Sequence, residues 1–593
     1  MPNVSDFVAA RLGAWGVDRV FGYPGREVDA LITALGGREA GPEFLQVRHE
    51  ESAALMAGAH AKLTGRPGCC LVPSGAGVLR LLGGLSDAAL DHEPVVAVVG
   101  QEGPVPDADR RRRTVSATRL CAEVSEFCEL VTDAEVVGDA LDRAFRAALT
   151  DRGVATLVLS RRLLETQARP GLADDGGPPS ARTDFTPPVR RPEERALHRA
   201  AEVLNEGRRV AVVLGRDGTA ASGQAVGVAE LLGAGVAKTS LACAALPDDL
   251  PYATGVIGPF GSELAAALLR ECDTLLLVGA GDLDIDRVWH RASSRVVIVD
   301  TDPGNRPPGA RPDGPVRVTG DAVTALQALL PLLRRTSDRG WREDIEHAVA
   351  EWRAAGRGKA RRVFGNTVNP RSVVAELSAR LPDRAVIVAD SGTALDWWTR
   401  HLELRNGMSA VVPGHPALPG ASVPYAVAAR LAYPGRPVIA LIGDGAFQGS
   451  GLNELITVRR LGPRLGGLPP LVFCVFNNQD LGRLTWQRRC EAGDPLLPAS
   501  QDVPDVSYAA YARLLGLNGV RCERPAAVGA VWDEALRREG PTLLEFVVDG
   551  EEPPDWAEAA GAQRGQGRSL PRISRGVLRR KAHAAVGDLF RSS

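Results

Sequence analysis

Short apolar runs punctuate this chain, and each is followed by residues whose apolar positions recur at helical spacing. "GCCLVPS" and "PVVAVVG" stand near the start, "RVAVVLG", "TLLLVGA" and "RVVIVD" in the middle, and "AVIVAD", "PVIALIGD" and "PLVFCVFN" towards the end. Runs this short, rich in β-branched residues and ending in Gly, Asp or Asn, predict parallel strands with helices on both faces. The expected fold class is α/β, with three doubly wound parallel-sheet domains and a C-terminal tail. Two polar stretches divide the chain. "QARPGLADDGGPPSARTDFTPPVRRPEE" is rich in Pro, Gly and charge and reads as a linker, whereas "RRTSDRGWREDIEHAVAEWRAAGRGKARR" is charged and helical in its middle. The expected organisation is a first domain over 1–165, a linker over 166–193 and a central domain over 194–335. A linker helix over 336–365, a third domain over 366–550 and a tail over 551–593 complete it.

Composition narrows the function classes. A chain of 593 residues holds three or four domains at roughly 150 residues each. A formal net charge of −2 gives no electrostatic case for nucleic acid as the main ligand. Nine cysteines with no CxxC pair fit reduced thiols better than a disulfide scaffold or a zinc site. The opening "MPNVSDFVAARLGAWGV" lacks the long apolar core of a secretory signal, and no stretch approaches the roughly 20 apolar residues that span a bilayer. A cytoplasmic location is expected.

Chemistry concentrates at two strand ends. "IGDGAF" sets Asp444 between Gly443 and Gly445 after one apolar run, and "PLVFCVFNNQDLG" ends the next with Asn477, Asn478, Gln479 and Asp480. Neighbouring parallel strands would bring Asp444 and Asn478 to one edge, where such sheets bind ligands. A carboxylate, an amide oxygen and a main-chain carbonyl form a hard-oxygen set suited to Mg²⁺ or Ca²⁺. A site so sparse leaves positions for a phosphorylated ligand. The glycines let backbone approach a diphosphate, and the following "GLNELITVRR" is expected to offer helix N-terminal N–H groups.

These motifs together resemble the thiamine-diphosphate (ThDP) enzymes, with the pyruvate oxidase and quinone-dependent pyruvate dehydrogenase branch, related to acetolactate synthase, as the nearest match. The resemblance is carried by "GDG" followed by "NN", and by "VFGYPGREVDAL", "QVRHEESAALMAGAHAKLTG", "LDHEPVVAVVGQ", "ADSGTALDWW" and "NNQDLGRLTWQRR". It implies a pyrimidine-binding domain, a central domain and a diphosphate-binding domain, in that order. It further implies Mg²⁺ held by Asp444, the Asn478 side chain and the main-chain oxygen of Asp480. Gly25, Ser74, Gly392, Thr393, Leu418, Pro419, Gly443, Gly445, Ala446, Phe447, Leu481 and Gly482 would border the cofactor, with Asp444, Asn478 and Asp480. Glu50, the first Glu of "RHEES", would be the catalytic carboxylate, meeting N1′ of the aminopyrimidine so that the thiazolium C2 loses its proton. In such enzymes Glu50 and Asp444 come from different subunits, which implies a homodimer at least and a homotetramer by extension.

Several positions depart from that pattern. Gly75-Ala76-Gly77 replaces a Gly-Pro-Gly turn, and Arg80 and Gly83 stand where relatives often have His and Asn. The aromatic-Gln-Glu segment of relatives falls in "DADRRRRTVSATR", which has no counterpart. The bulky wedge, usually Met, is Leu418 or Pro419, and a Glu common after "NN" is Gln487. In the central domain Asp300 and Asp302 could reach a ribose as in FAD-holding relatives, while the acidic "LLVGAGDLDIDRVW" opposes a flavin diphosphate. A flavin site and a purely structural domain both remain open. The tail "LPRISRGVLRRKAHAAVGDLFRSS" is basic and amphipathic; packing on its own subunit is favoured over peripheral membrane contact.

The function expected is ThDP- and Mg²⁺-dependent decarboxylation of a small 2-oxo acid, pyruvate by default, with oxidation of the hydroxyethyl-ThDP intermediate. The alternatives are an acetolactate synthase-type carboligase and, from another class, an inactive ThDP-binding paralogue serving as scaffold or partner subunit.

Overall fold

The computed structural model describes residues 3–37, 41–102, 115–168, 185–281, 283, 295–301, 314–363, 365–414, 418–493, 497–558 and 573. The expected segments "DADRRRRT", Asp302 and nearly all of the basic tail lie outside them. No helix among the described residues is long and apolar enough to cross a membrane.

Three six-stranded sheets carry the fold, and every strand pair within them is parallel. The first sheet contains β1 (Arg19–Gly22), β2 (Glu43–Gln46), β3 (Gly68–Pro73), β4 (Val95–Gln101), β5 (Phe127–Val131) and β6 (Val154–Ser160), in the order β2-β1-β3-β4-β6-β5. The central sheet contains β7 (Val210–Leu214), β8 (Gly235–Thr239), β9 (Ala253–Ile257), β10 (Thr274–Val278), β11 (Arg295–Asp300) and β12 (Val316–Thr319). Its order, β12-β11-β10-β7-β8-β9, is the doubly wound order of dinucleotide-binding folds. The third sheet contains β13 (Val386–Ala389), β14 (Ser409–Val411), β15 (Val438–Gly443), β16 (Leu471–Asn477), β17 (Asn518–Cys522) and β18 (Thr542–Val547). Its order, β14-β13-β15-β16-β18-β17, repeats the first sheet strand for strand. The central strands β4, β7, β10 and β16 are buried along almost their whole length, which is why they read as continuous apolar runs rather than alternating ones.

Tight helix packing joins the first and third domains. Helix Glu50–Thr64 is mostly Ala and Gly in its middle, and buries every residue from Ser52 to Ala61. Small side chains let it sit between helix Ala76–Leu90 and helix Ser422–Ala432, in one core shared by both domains. The contact is close enough that a Cβ on Gly84 would stand 2.6 Å from the Glu51 carbonyl oxygen.

Buried charge then ties all three domains together. The Lys62 Nζ donates to the Val412 carbonyl and to the Tyr425 hydroxyl, 2.8 Å each, and pairs with Asp91 and, at 3.7 Å, with Asp87. Burial by itself would lower the Lys62 pKa, but the two aspartates outweigh it and hold the ammonium above its ordinary value. From the central domain, Arg216 donates to Glu93 at 2.7 Å. Burial, followed by the neighbouring Asp91 charge, pushes Glu93 up to about 7.

Candidate active site

β15 and β16 lie side by side, with Gly443 opposite Phe476, so their ends release Asp444 and Asn477–Asp480 at the same edge. The chain does not pass Asp444 as a loop before the helix "GLNELITVRR". A short helix, Asp444–Gly449, begins at Asp444 itself with Gly443 as its N-cap, and helix Glu454–Leu465 follows. Asp444 therefore stands in the first turn of a helix, where free N–H groups favour an anion.

A left-handed residue folds the second strand end back onto it. Gln479 has φ +56°, and its N–H donates to Asp444 Oδ2 at 2.6 Å. The other carboxylate oxygen, Oδ1, accepts from Gly445 N–H at 2.8 Å. The Asn478 amide aims one terminal atom at Asp444 Oδ1 and at the Asp480 carbonyl oxygen, 3.1 Å from each. As an NH₂ that atom would donate to both; as the amide oxygen it completes a cluster of three oxygens with no proton between them. Octahedral Mg²⁺, with ligands at about 2.0–2.1 Å, sets neighbouring oxygens about 3 Å apart. The Asn478 atom stands at that spacing from both of the other oxygens, so the donor set and these two distances fit the cation. Burial drives the Asp444 pKa up to about 7 against the backbone donors that lower it, a state that an adjacent cation would reverse.

Open space adjoins these oxygens. Nothing lies within 4 Å of a Cβ built on Gly392, which has φ +101° and caps helix Thr393–His401, or of one on Gly443. The strand order reverses between β13 and β15, so Gly392 and Gly443 border the switch-point crevice in which such sheets bind ligands. Gly482, by contrast, is closely covered: a Cβ there would meet Asn478 Nδ2 at 2.9 Å and Thr393 Cγ2 at 3.4 Å. Gly445 is covered too, 2.4 Å from Leu481 Cδ2 on the same construction. Ala446 is half-buried, whereas Phe447 is fully buried against the Tyr508 ring, leaving only its backbone for a ligand. Leu418 is half-buried and its carbonyl accepts from Ser391 Oγ at 3.3 Å, while Pro419 is exposed.

In the first domain Glu50 opens helix Glu50–Thr64 and is 4% exposed. Its Oε1 lies against Gly77, where a Cβ would come within 3.2 Å, and its Oε2 lies 3.5 Å from Arg80 Nη1. Ser74 and Gly25 sit at the C-terminal ends of β3 and β1, where Gly25 packs against Pro73. Among the described residues no hydrogen bond or ion pair joins Glu50 to the third domain of its own chain. Its neighbour Glu51 does cross, accepting from Ser450 Oγ at 3.2 Å.

Two supporting residues escape a reading of the sequence. Asp390, fully buried after β13, accepts from the N–H groups of Gly420, at 3.0 Å to each oxygen, and of Ser391 and Ser422. It thereby fixes the segment carrying Leu418 and Pro419. Glu454 accepts from Arg48 N–H at 2.7 Å, bracing the strand end that leads to Glu50. "ADSGT" held a visible signal for the first, an acid just before a glycine-containing turn; nothing local marks the second.

Models of three thiamine pyrophosphate enzyme domains match this chain in order: the N-terminal TPP-binding domain over residues 2–112, the central domain over 197–329 and the C-terminal TPP-binding domain over 390–546. The chain belongs to the thiamine pyrophosphate enzyme family. Relatives in that family include acetolactate synthases and a pyruvate oxidase. It is 29% identical over 566 residues to the acetolactate synthase isozyme 2 large subunit of Escherichia coli (strain K12), covering 92% of this chain and 96% of that one. It is 25% identical over 547 residues to the pyruvate oxidase of Lactiplantibacillus plantarum, covering 91% and 88%. YdaP of Bacillus subtilis (strain 168) is 28% identical over 549 residues, covering 92% and 91%.

Proposed function

We propose that this protein decarboxylates a small 2-oxo acid with ThDP and Mg²⁺ and passes the remaining fragment to an oxidant. The observation that carries the reading is the three-oxygen cluster of Asp444, Asn478 and Asp480 beside the open space at Gly392 and Gly443. Those oxygens would hold the cation, and the backbone beside Gly392 and Gly443, where no side chain intrudes, would receive the diphosphate. When bound, ThDP supplies a carbon nucleophile and an electron sink. Glu50, buried and ionisable, would hold a proton at the aminopyrimidine, acting as a general acid–base group from the first domain of a second copy. A homodimer is then the smallest complete unit, with a homotetramer as its extension.

The oxidising fate is supported by a cavity of about 720 Å³ at the C-terminal edge of the central sheet, bordered by Arg152, Arg190, Asp300 and Gly320. Its size lies within the range of about 300–1,000 Å³ usual for small-molecule sites. FAD would lie there, with Arg152 and Arg190 near its diphosphate. The cavity reaches the ends of β7 and β10, where Asp217 N–H is taken by the Gly279 carbonyl at 3.0 Å and Arg216 by Glu93. Most of the acidic stretch after β10 lies outside the described residues.

A second reading, a carboligase that adds the fragment to another 2-oxo acid, is favoured by the acetolactate synthase relatives. Mass spectrometry of small molecules released on denaturation, with product analysis after feeding pyruvate, separates the two. Flavin with a carboxylic acid product supports oxidation; a hydroxy-oxo acid product supports ligation. No thiamine release and no 2-oxo acid consumed would overturn both.

A further inference from the structure

Arg80 stands one turn inside helix Ala76–Leu90, with its Nη1 3.5 Å from Glu50 Oε2. The partners differ sharply in access: the Glu50 side chain is 5% exposed and that of Arg80 55%. Gly77 closes the other side of the Glu50 carboxylate. A guanidinium has five N–H donors, and Glu50 is the one ion-pair partner of Arg80 among the described residues. The rest of the fork has no ion-pair partner among the described residues of its own chain. Any group bonding to Glu50 Oε2 at the usual distance lies within about 7 Å of Arg80 Nη1. Resting on the reading that Glu50 meets the aminopyrimidine, this puts a permanent cation within about 7 Å of the cofactor that carries the substrate.

The chemistry decides which part of the substrate that cation suits. Decarboxylation breaks the C1–C2 bond, releases C1 as CO₂ and leaves its electron pair at C2. A guanidinium clamped on the C1 carboxylate would stabilise the reactant more than the transition state, because that charge is being lost, and would slow the reaction. A carboxylate that survives the reaction keeps its charge throughout. Bidentate pairing with it adds affinity without raising the barrier.

We propose that Arg80 is a specificity-determining residue that receives a second, retained carboxylate, so that the site takes a 2-oxo dicarboxylic acid, or a carboxylate-bearing acceptor, rather than pyruvate alone. The outward donors pair with the retained acid, and Glu50 remains with the cofactor. Arg80 does not itself touch the reacting bond.

The experiment uses full-length protein loaded with ThDP and Mg²⁺, comparing wild type with Arg80→Gln and Arg80→Lys. Calorimetry with glutarate, an unreactive diacid, and butyrate, its monoacid counterpart, reads binding without turnover. Wild type is expected to prefer glutarate by about tenfold or more, and Arg80→Gln to lose that preference, with Arg80→Lys between them. In steady state the KM for 2-oxoglutarate should rise by about tenfold in Arg80→Gln, with kcat changed much less. Turnover of 2-oxoglutarate alone identifies the retained acid as the donor's; turnover only when pyruvate is also present identifies it as the acceptor's. Equal glutarate affinity in wild type and Arg80→Gln overturns the proposal. A wild-type protein that binds no ThDP would instead sink the functional reading beneath it.

Discussion

Gln479 and Asp444 meet across two neighbouring strand ends, the N–H of one donating to the carboxylate of the other at 2.6 Å. That bond comes with a non-glycine residue held in the left-handed region, and at the same turn the Asn478 amide faces both the Asp480 carbonyl and Asp444 Oδ1. A cost of order 1 kcal/mol in backbone strain is thus tied to the convergence of three oxygens.

Replacing one of those oxygens by a donor should remove the cation. Asp444→Asn is expected to weaken Mg²⁺-dependent ThDP binding by about 100-fold or more, measured by calorimetry, with the circular dichroism of the fold unchanged. Gly482→Ala acts indirectly by pressing on Asn478 Nδ2 and should cost about tenfold. Wild-type affinity in Asp444→Asn would place the metal elsewhere.

Glu50 separates binding from turnover. Glu50→Gln keeps the shape of the side chain and loses its proton chemistry, so 2-oxo acid consumption should fall by about 10²–10⁴-fold. ThDP should still bind within a few-fold of wild type. An unchanged rate would remove Glu50 from the chemistry.

Lys62 is the central cation of a largely buried set. Lys62→Met leaves Asp91 and Asp87 buried without it, which costs about 3–5 kcal/mol for a buried pair broken on one side. Chemical denaturation should show a lower midpoint and earlier separation of the first domain from the third. Retention of the wild-type midpoint would mean that Arg216 alone satisfies the aspartates.

Asp390 predicts a slope in stability against pH. Burial raises it from 3.8 to about 7, outweighing its backbone donors. The folded state therefore holds this proton more tightly than the unfolded state. Its contribution is fully present below pH 3.8 and is lost progressively as pH rises towards 7. Asp390→Asn should flatten that part of the profile in cofactor-free protein, followed by urea midpoints at stepped pH. An identical slope in the variant would assign the effect to other groups, Glu93 first among them.

The apolar runs by themselves determined the architecture, because a strand buried on both faces must be apolar at consecutive positions and a parallel partner needs a helical crossover. Asp444 and Asn478 were legible for the same reason: each ends a run, and adjacent parallel strands deliver their ends to one edge. Local order could not reveal that the helix begins at Asp444, since the glycines that suit a loop suit a helix start equally well. Nor could it reveal the Gln479 turn, the Asp390 clasp on Gly420 or the pairing of Arg80 with Glu50, which join residues from separate crossovers. Those relationships depend on which helix faces meet. Only the packed structure decides that, because burial fixes the partners of a charge after the chain has brought them together, and not before.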